Sequence, residues 1–422
     1  MSASNEAGSL LDDRQRLSPA TGISIPASHA SVAPAPKRWL SRPFVRLLAT
    51  NMAIGFSLSC FYLLPKHLTV AYAARPGQVG AVVGIFGLVS VLVVPWLGRA
   101  VSALGLPRTL GFGLLLLAAC AFAFTLPTSI GPAMMLLRAL QGLATAGIMT
   151  ASVAMVCELA PAEKLGQAMG LAGAASLAMN AIAPAVAEPL SARCGFGWVF
   201  AVAGAVALLG ALLARRLPGQ AAPSAISAPA AITRNPIALL VVLAVVGAGF
   251  HVVMAFLAPL ALSRGVSAVK GFFVAYTVAA LSVRIFGGSF TDRLGLRRTA
   301  TLGLLVYGAF IAGIAALGPR SLVGLGLGFG LAHGALFPAL MGLLFEDVQE
   351  AERTRLAALA NGVMNLGMLS VLGFGQMANH AGLVPVFLVT GALVAASSRL
   401  LLPDRLGIPT VARALTALWD RE

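Results

Sequence analysis

Charge is scarce in this chain. Its 422 residues include 29 Lys and Arg and 14 Asp and Glu, 10% in all, where a water-soluble domain carries about a quarter. So few ionic groups cannot cover a water-facing surface, which excludes a soluble enzyme, a coiled coil and a disordered hub. No basic run interleaves with aromatic residues, so the net charge of +15 does not describe a nucleic-acid surface. Cys60, Cys120, Cys157 and Cys194 lack Cys-x-x-Cys spacing, which argues against a disulfide framework or a zinc site. The five histidines (29, 67, 251, 333 and 380) stand far apart, and neither His-Glu-x-x-His nor Gly-x-Ser-x-Gly occurs. A membrane enzyme therefore has no visible catalytic constellation. The Gly-rich run Gly324-x-Gly326-x-Gly328-x-Gly330 lacks the Gly-Lys-Ser/Thr ending of a phosphate loop. No nucleotide or other cofactor is expected. The first 40 residues are polar, without an apolar h-region, so no cleavable signal peptide is expected and the first apolar segment directs insertion.

What fills the chain instead is apolar. Hydrophobic types make up 59% of it and the mean hydropathy is +0.91. A helix needs about 20 mostly apolar residues to cross the hydrocarbon. Such segments are expected at 44–64, 78–100, 109–126, 132–157, 165–189 and 197–214, then at 236–262, 270–290, 298–317, 321–345, 355–378 and 383–402. The expected fold is an all-α membrane protein of twelve transmembrane helices in two six-helix bundles. The expected units are a disordered tail (1–40), a first bundle (41–214), a linker rich in Ala, Ser and Pro (215–235), a second bundle (236–405) and a short tail (406–422). With twelve crossings, Lys66, Arg75, Arg193, Arg264, Lys270 and Arg320 fall on one side, Arg138 and Arg284 fall within spans, and the rest of the 29 cations fall on the side of the termini. That asymmetry places both termini in the cytoplasm.

Polar residues inside spans carry the functional reading, because an ionisable group in hydrocarbon is costly. Arg138, Gln141 and Thr145 recur at i, i+3 and i+7 in the fourth span and share a face. They line a cavity or gate, or else Arg138 snorkels to the nearby interface. Arg284 lies near its span's cytoplasmic end, and pairing with Asp292 or with helix-end carbonyls is favoured over substrate contact. Further cavity candidates are Asn51 and Tyr62 in the first span, His251 in the seventh, His333 and Phe337 in the tenth, and Asn361 and Asn365, at i and i+4, in the eleventh. Asn180 and Tyr276 are candidates as well. Each could equally tie one helix to another. His251 and His333 titrate near neutrality when unperturbed and are candidates for proton coupling, as is Glu188 at the end of the fifth span. No carboxylate lies mid-span, which suits neutral, zwitterionic or anionic solutes better than cations.

Two echoes run through the chain. Gly98-Arg-Ala-Val-Ser-Ala-Leu-Gly-Leu-Pro-Arg-Thr109 matches Gly288-Ser-Phe-Thr-Asp-Arg-Leu-Gly-Leu-Arg-Arg-Thr299, and Glu158…Glu163-Lys164 matches Glu346…Glu352-Arg353. Both pairs fall at nearly one offset and in the same place of each half, as parallel repeats would. Gly288-xxx-Asp292-Arg293-x-Gly295-x-Arg297-Arg298 resembles the loop signature of the major facilitator superfamily, and Arg138-x-x-Gln141-Gly142 resembles that family's motif in the fourth span. Gly197-Trp198-Val199-Phe200 and His333-Gly334-x-x-Phe337-Pro338 are similar to its bacterial small-molecule exporters. Two departures stand out. Ser102 and Ala103 replace the Asp and Arg of the signature, and Ala183-Pro184-Ala-Val-Ala-Glu188 replaces the family's antiporter motif. The resemblance implies a monomeric secondary transporter of the bacterial inner membrane, surrounded by lipid, that exports a small molecule by alternating access. It also implies that Gly288, Asp292, Arg293, Gly295, Arg297 and Arg298 latch one half against the other. The alternative is a transporter-shaped receptor or assembly factor.

Overall fold

The computed structural model describes residues 40–161, 164–219, 236–286, 294–346, 348 and 350–402. The amino-terminal tail, most of the linker, the carboxy-terminal tail and the expected latch residues Gly288, Asp292 and Arg293 lie outside the described residues.

Among the described residues twelve helical legs follow one another. They are α1 (Arg42–Tyr72), α2 (Pro76–Leu92 continuing as Val94–Leu104), α3 (Leu106–Ala123), α4 (Pro132–Leu159), α5 (Leu165–Cys194) and α6 (Phe196–Ala214), then α7 (Ile237–Ser263), α8 (Lys270–Phe286), α9 (Leu296–Ala316), α10 (Leu322–Phe345), α11 (Glu350–Leu366 continuing through Gly367–Leu369 to Ser370–Ala381) and α12 (Leu383–Leu401). Among the described residues nine helices are long and apolar enough to cross a bilayer, or ten when the bent pair of α2 is taken as one span. The other two legs are α8, which runs up to residues outside the description, and α11, whose first turns carry Glu350, Glu352 and Arg353. Successive legs alternate direction, so the linker and both ends of the run share one side. That side is called the linker face below, and the opposite side the far face.

The helix starts follow from local chemistry. Proline sits in the first turn of α1, of both parts of α2, of α3 and of α4, where its missing N–H would have had no partner. Ser41 caps α1 by accepting from the Phe44 amide at 3.4 Å. Two expected boundaries move for the same reason. Pro65 does not end the first span, because a 3-10 turn over Phe61–Leu63 places it in the first turn of Leu64–Tyr72. Pro95 cannot donate within α2, and the two parts of that leg meet at 61°.

The repeat is visible in the backbone. Among the described residues the positive-φ positions are Ala73, Gly105 and Gly195 in the first half and Gly265, Gly295 and Gly382 in the second. They pair in order, after the first leg, between the second and third, and between the fifth and sixth. At Gly105 (φ 79°) and Gly295 (φ 78°) a side chain would be strained although space is open. Gly295→Ala should therefore lower unfolding stability by about 1–3 kcal/mol in detergent melts, whereas Gly98→Ala, in open space within a helix, should not.

The packing repeats as well. A Cβ on Gly142 of α4 would lie 2.4 Å from the Phe86 carbonyl oxygen of α2, and one on Gly330 of α10 would lie 2.3 Å from that of Tyr276 in α8. Gly55 of α1 meets the Ser176 carbonyl of α5, and Gly247 of α7 meets the Met364 carbonyl of α11. Small residues let these backbones touch, the packing mode that lipid favours. The expected two six-helix bundles are thus present as a fold.

The candidate solute site

The fourth leg carries the most unusual side chain. Gly142 brings α4 against α2, and one turn earlier Arg138 reaches across the same seam. Its Nε donates to the Val82 carbonyl at 3.1 Å, and its Nη1 donates to Gln141 Oε1 at 2.8 Å. The guanidinium carbon lies 4.5 Å from the centre of the Phe86 ring and 5.8 Å from that of Phe61. Two aromatic faces thus stabilise a cation removed from water. Arg138 is 5% exposed, so it packs inside the protein instead of snorkelling to the interface. Among the described residues the one ion pair joins Lys66 to Glu188, and no carboxylate faces Arg138. In the repeat, Gly326 of α10 occupies the matching place against the Phe272 carbonyl of α8. The guanidinium is therefore a departure from an otherwise repeated seam.

Donors without acceptors continue along that face. Gln141 is 1% exposed, its oxygen is engaged by Arg138, and its Nε2 has no partner. Thr145, half-buried one turn on, has an unpartnered Oγ1. Arg138, Gln141 and Thr145 are thus brought together as one donor-rich strip. A carboxylate or phosphate would complete it, because orphaned buried donors beside a cation are costly until an acceptor arrives.

Across the repeat, the place of Thr145 is taken by His333 in α10. Its ring stacks with Phe250 of α7 (5.5 Å, 21°) and Tyr307 of α9 (5.6 Å, 29°). Its Nδ1 shares a 3.3 Å hydrogen bond with the Tyr276 hydroxyl of α8, while His333 Nε2 and the Tyr307 hydroxyl have no partner. Phe337 lies one turn from His333, with the Arg284 guanidinium 5.4 Å from its ring centre. Arg284 Nε has no acceptor among the described residues, and Asp292 lies outside them.

The remaining candidates are dispersed. Asn51 accepts from Ser152 and ties α1 to α4. Asn180 accepts from Ser59 at 2.8 Å and from Tyr62 at 3.5 Å, tying α5 to α1. Tyr62 also stacks on Phe273 of α8 at 5.7 Å, joining the two halves. His251 Nδ1 is 2.7 Å from the Gly247 carbonyl of its own helix. Asn361 and Asn365 are exposed and bond backbone carbonyls one turn earlier in α11. Arg297 and Arg298 are exposed at the start of α9 beside Gly295. Glu188 is 5% exposed, lies toward the far face and pairs with Lys66.

Sequence reasoning missed Phe61, Phe86, Phe250, Tyr307 and Lys66. An aromatic ring in an apolar span carries no polarity signal, although the repeat pairs Phe86 with the candidate Tyr276.

Comparison with known proteins agrees with this architecture. The sequence profile of the Major Facilitator Superfamily matches residues 47–371 and 239–409. A rice (Oryza sativa subsp. japonica) protein named Probable anion transporter 7 is 31% identical over 181 residues, 36% of this chain. The match spans only 41% of that relative's length. The fold superposes on a variant of the nucleoside transporter NupG with a TM-score of 0.71 at 13% identity, covering 85% of this chain and 98% of that one. It superposes on the human organic anion transporter MFSD10 (TETRAN) with a TM-score of 0.63 at 16% identity, covering 87% and 100%. With a profile spanning most of its length and twelve helical legs in two repeated sixes, the chain is a multi-pass membrane protein that belongs to the Major Facilitator Superfamily of transporters.

Proposed function

We propose that this chain is a secondary transporter that moves a small organic anion across the bacterial inner membrane by alternating access, with both termini cytoplasmic. One observation carries the substrate class: Arg138 is buried without a carboxylate partner among the described residues, stacked on Phe86 and flanked by the unpartnered Gln141 amide. A solute carboxylate or phosphate supplies the missing charge, with the two rings and the Val82 carbonyl holding the guanidinium plane in place. Two of the compared proteins are described as anion transporters, which supports the anionic class over the neutral and zwitterionic ones. The nucleoside transporter among them keeps an uncharged solute as the second reading.

Residues 41–214 and 236–405 serve as the two rocking bodies, with the Arg138 strip on one and the His333 cluster on the other. Gly288, Asp292, Arg293, Gly295, Arg297 and Arg298 serve as their latch at the linker face. The proposed direction is export, driven by protons through His251, His333 or Glu188. Purified protein in liposomes tests this reading. An imposed pH gradient should drive flux of organic anions at least severalfold above the flux without it, and a protonophore should abolish the difference. Flux confined to lipophilic cations would overturn the substrate class, and no flux of any solute would favour a receptor role.

A further inference from the structure

All the described side-chain hydrogen bonds between the two halves lie at the far face, and they share one design. Glu188, at the end of α5, accepts from the backbone amides of Val269 at 3.0 Å and Lys270 at 2.7 Å, where α8 of the other half begins. Asn379, at the end of α11, accepts through Oδ1 from the Gly77 amide at 2.8 Å, where α2 of the other half begins. In the repeat, α5 corresponds to α11 and α8 to α2, so the two contacts join matching pairs of legs and perform matching tasks, with Asn379 about one turn nearer the end of its helix than Glu188. We propose that the far-side gate is a pair of exchanged helix caps, in which each half supplies an N-terminal acceptor for a helix of the other, at α2 beside the Gln78 Oε1 that already accepts from the Arg75 amide.

The physical basis is the set of unpaired amides at every helix start, together with the partial positive charge that accumulates there. A cap from the same half would move with its helix and report nothing about the gate. A cap from the other half is made when the far ends meet and lost when they part. The two caps are unequal. Glu188 is an anion held by Lys66 of α1, whose ammonium also donates to the Ser267 carbonyl across the seam. Asn379 is neutral and, among the described residues, its amide nitrogen donates to Gln376 at 3.2 Å. About one turn inward of the Asn379 cap the backbones close tightly: a Cβ on Gly80 of α2 would fall 2.7 Å from the Val371 carbonyl and 3.1 Å from Gly375 Cα of α11. The charged cap is therefore the stronger fastening, and its acceptor oxygens, more than the Lys66 ion pair alone, keep the far face shut.

This inference extends the alternating-access reading, but its test needs no substrate and no transport. The four native cysteines are replaced, and Asn180→Cys, about two helical turns inward of Glu188 along α5, serves as the probe. Intact cells or vesicles exposing the far face are treated with a membrane-impermeant maleimide, and melting temperatures of the detergent-purified variants verify folding. Glu188→Ala should speed labelling at least tenfold, Asn379→Ala by a smaller but measurable factor, and the isosteric Glu188→Gln less than Glu188→Ala. The decisive variant exchanges the pair, Lys66→Glu with Glu188→Lys. It restores an ion pair but puts a cation against the amides of Val269 and Lys270, so labelling should stay fast. A return to the wild-type rate would reduce the contact to an ordinary salt bridge. An unchanged rate in Glu188→Ala would overturn the gate, and an unchanged rate in Asn379→Ala would overturn the exchange.

Discussion

Arg138→Gln should slow transport of an anionic substrate by a factor of about 30 to 150, the kinetic equivalent of the 2–3 kcal/mol that a hydrogen bond to a charged group contributes. The loss should come without a fall in membrane abundance, because removing a cation from a span makes insertion easier. Arg138→Lys should recover little of the activity. The guanidinium is fixed by the Val82 carbonyl on one edge, by Gln141 on another and by the Phe86 ring below. An ammonium offers neither the planar face nor the fork of donors that this setting selects. Initial rates in liposomes, normalised to reconstituted protein, check both variants. Phe86→Leu should fall between wild type and Arg138→Gln, since it removes about 2 kcal/mol or less of cation–π stabilisation but leaves the charge.

The largest loss of stability is expected at a glycine. A Cβ on Gly247 would fall 2.1 Å from the Met364 carbonyl oxygen, a distance that only movement of α7 away from α11 relieves. Backbone cannot yield as a flexible side chain can, so Gly247→Val should cost at least about 3 kcal/mol, the upper end for overpacked interiors. In practice it should abolish the folded state recovered in detergent. Gly142→Val, against the Phe86 carbonyl at 2.4 Å, should do the same in the first half and would also carry Arg138 away from its rings. A Cβ on Gly166 or Gly170 would meet nothing within 4 Å, and Ala at either should leave the melting temperature unchanged or raise it through helix propensity. Fluorescence-detected size exclusion after graded heating separates the two groups.

The membrane fold is legible in composition because a chain this poor in charge has only lipid to face. The repeat is legible because Gly105 and Gly295 require a backbone conformation that other residues avoid. Helix ends are harder to read. Pro65 looks like a terminator but sits where a helix restarts, and the break in α2 at Pro95 falls inside a continuous apolar stretch. Within the site, Arg138 and Gln141 stand out as polar groups in hydrocarbon, and a hydrogen bond joins them. Their aromatic partners come from other helices and carry no charge, so only the packing of α1 and α2 against α4 reveals them. In the sequence Lys66 is a loop cation and Glu188 a candidate proton site, with nothing to link them. A separation of 122 residues hides a contact that depends on how α1 lies beside α5.

Equilibrium binding of solute pairs that differ only in charge, a set of carboxylates each with its primary amide, tests the central claim most directly. At least one carboxylate should bind the wild-type protein about 30-fold more tightly than its amide, the equivalent of 2 kcal/mol, and that preference should disappear in Arg138→Gln. Amides that bind as tightly as their acids, or a preference that survives in the variant, would contradict an anion site at Arg138.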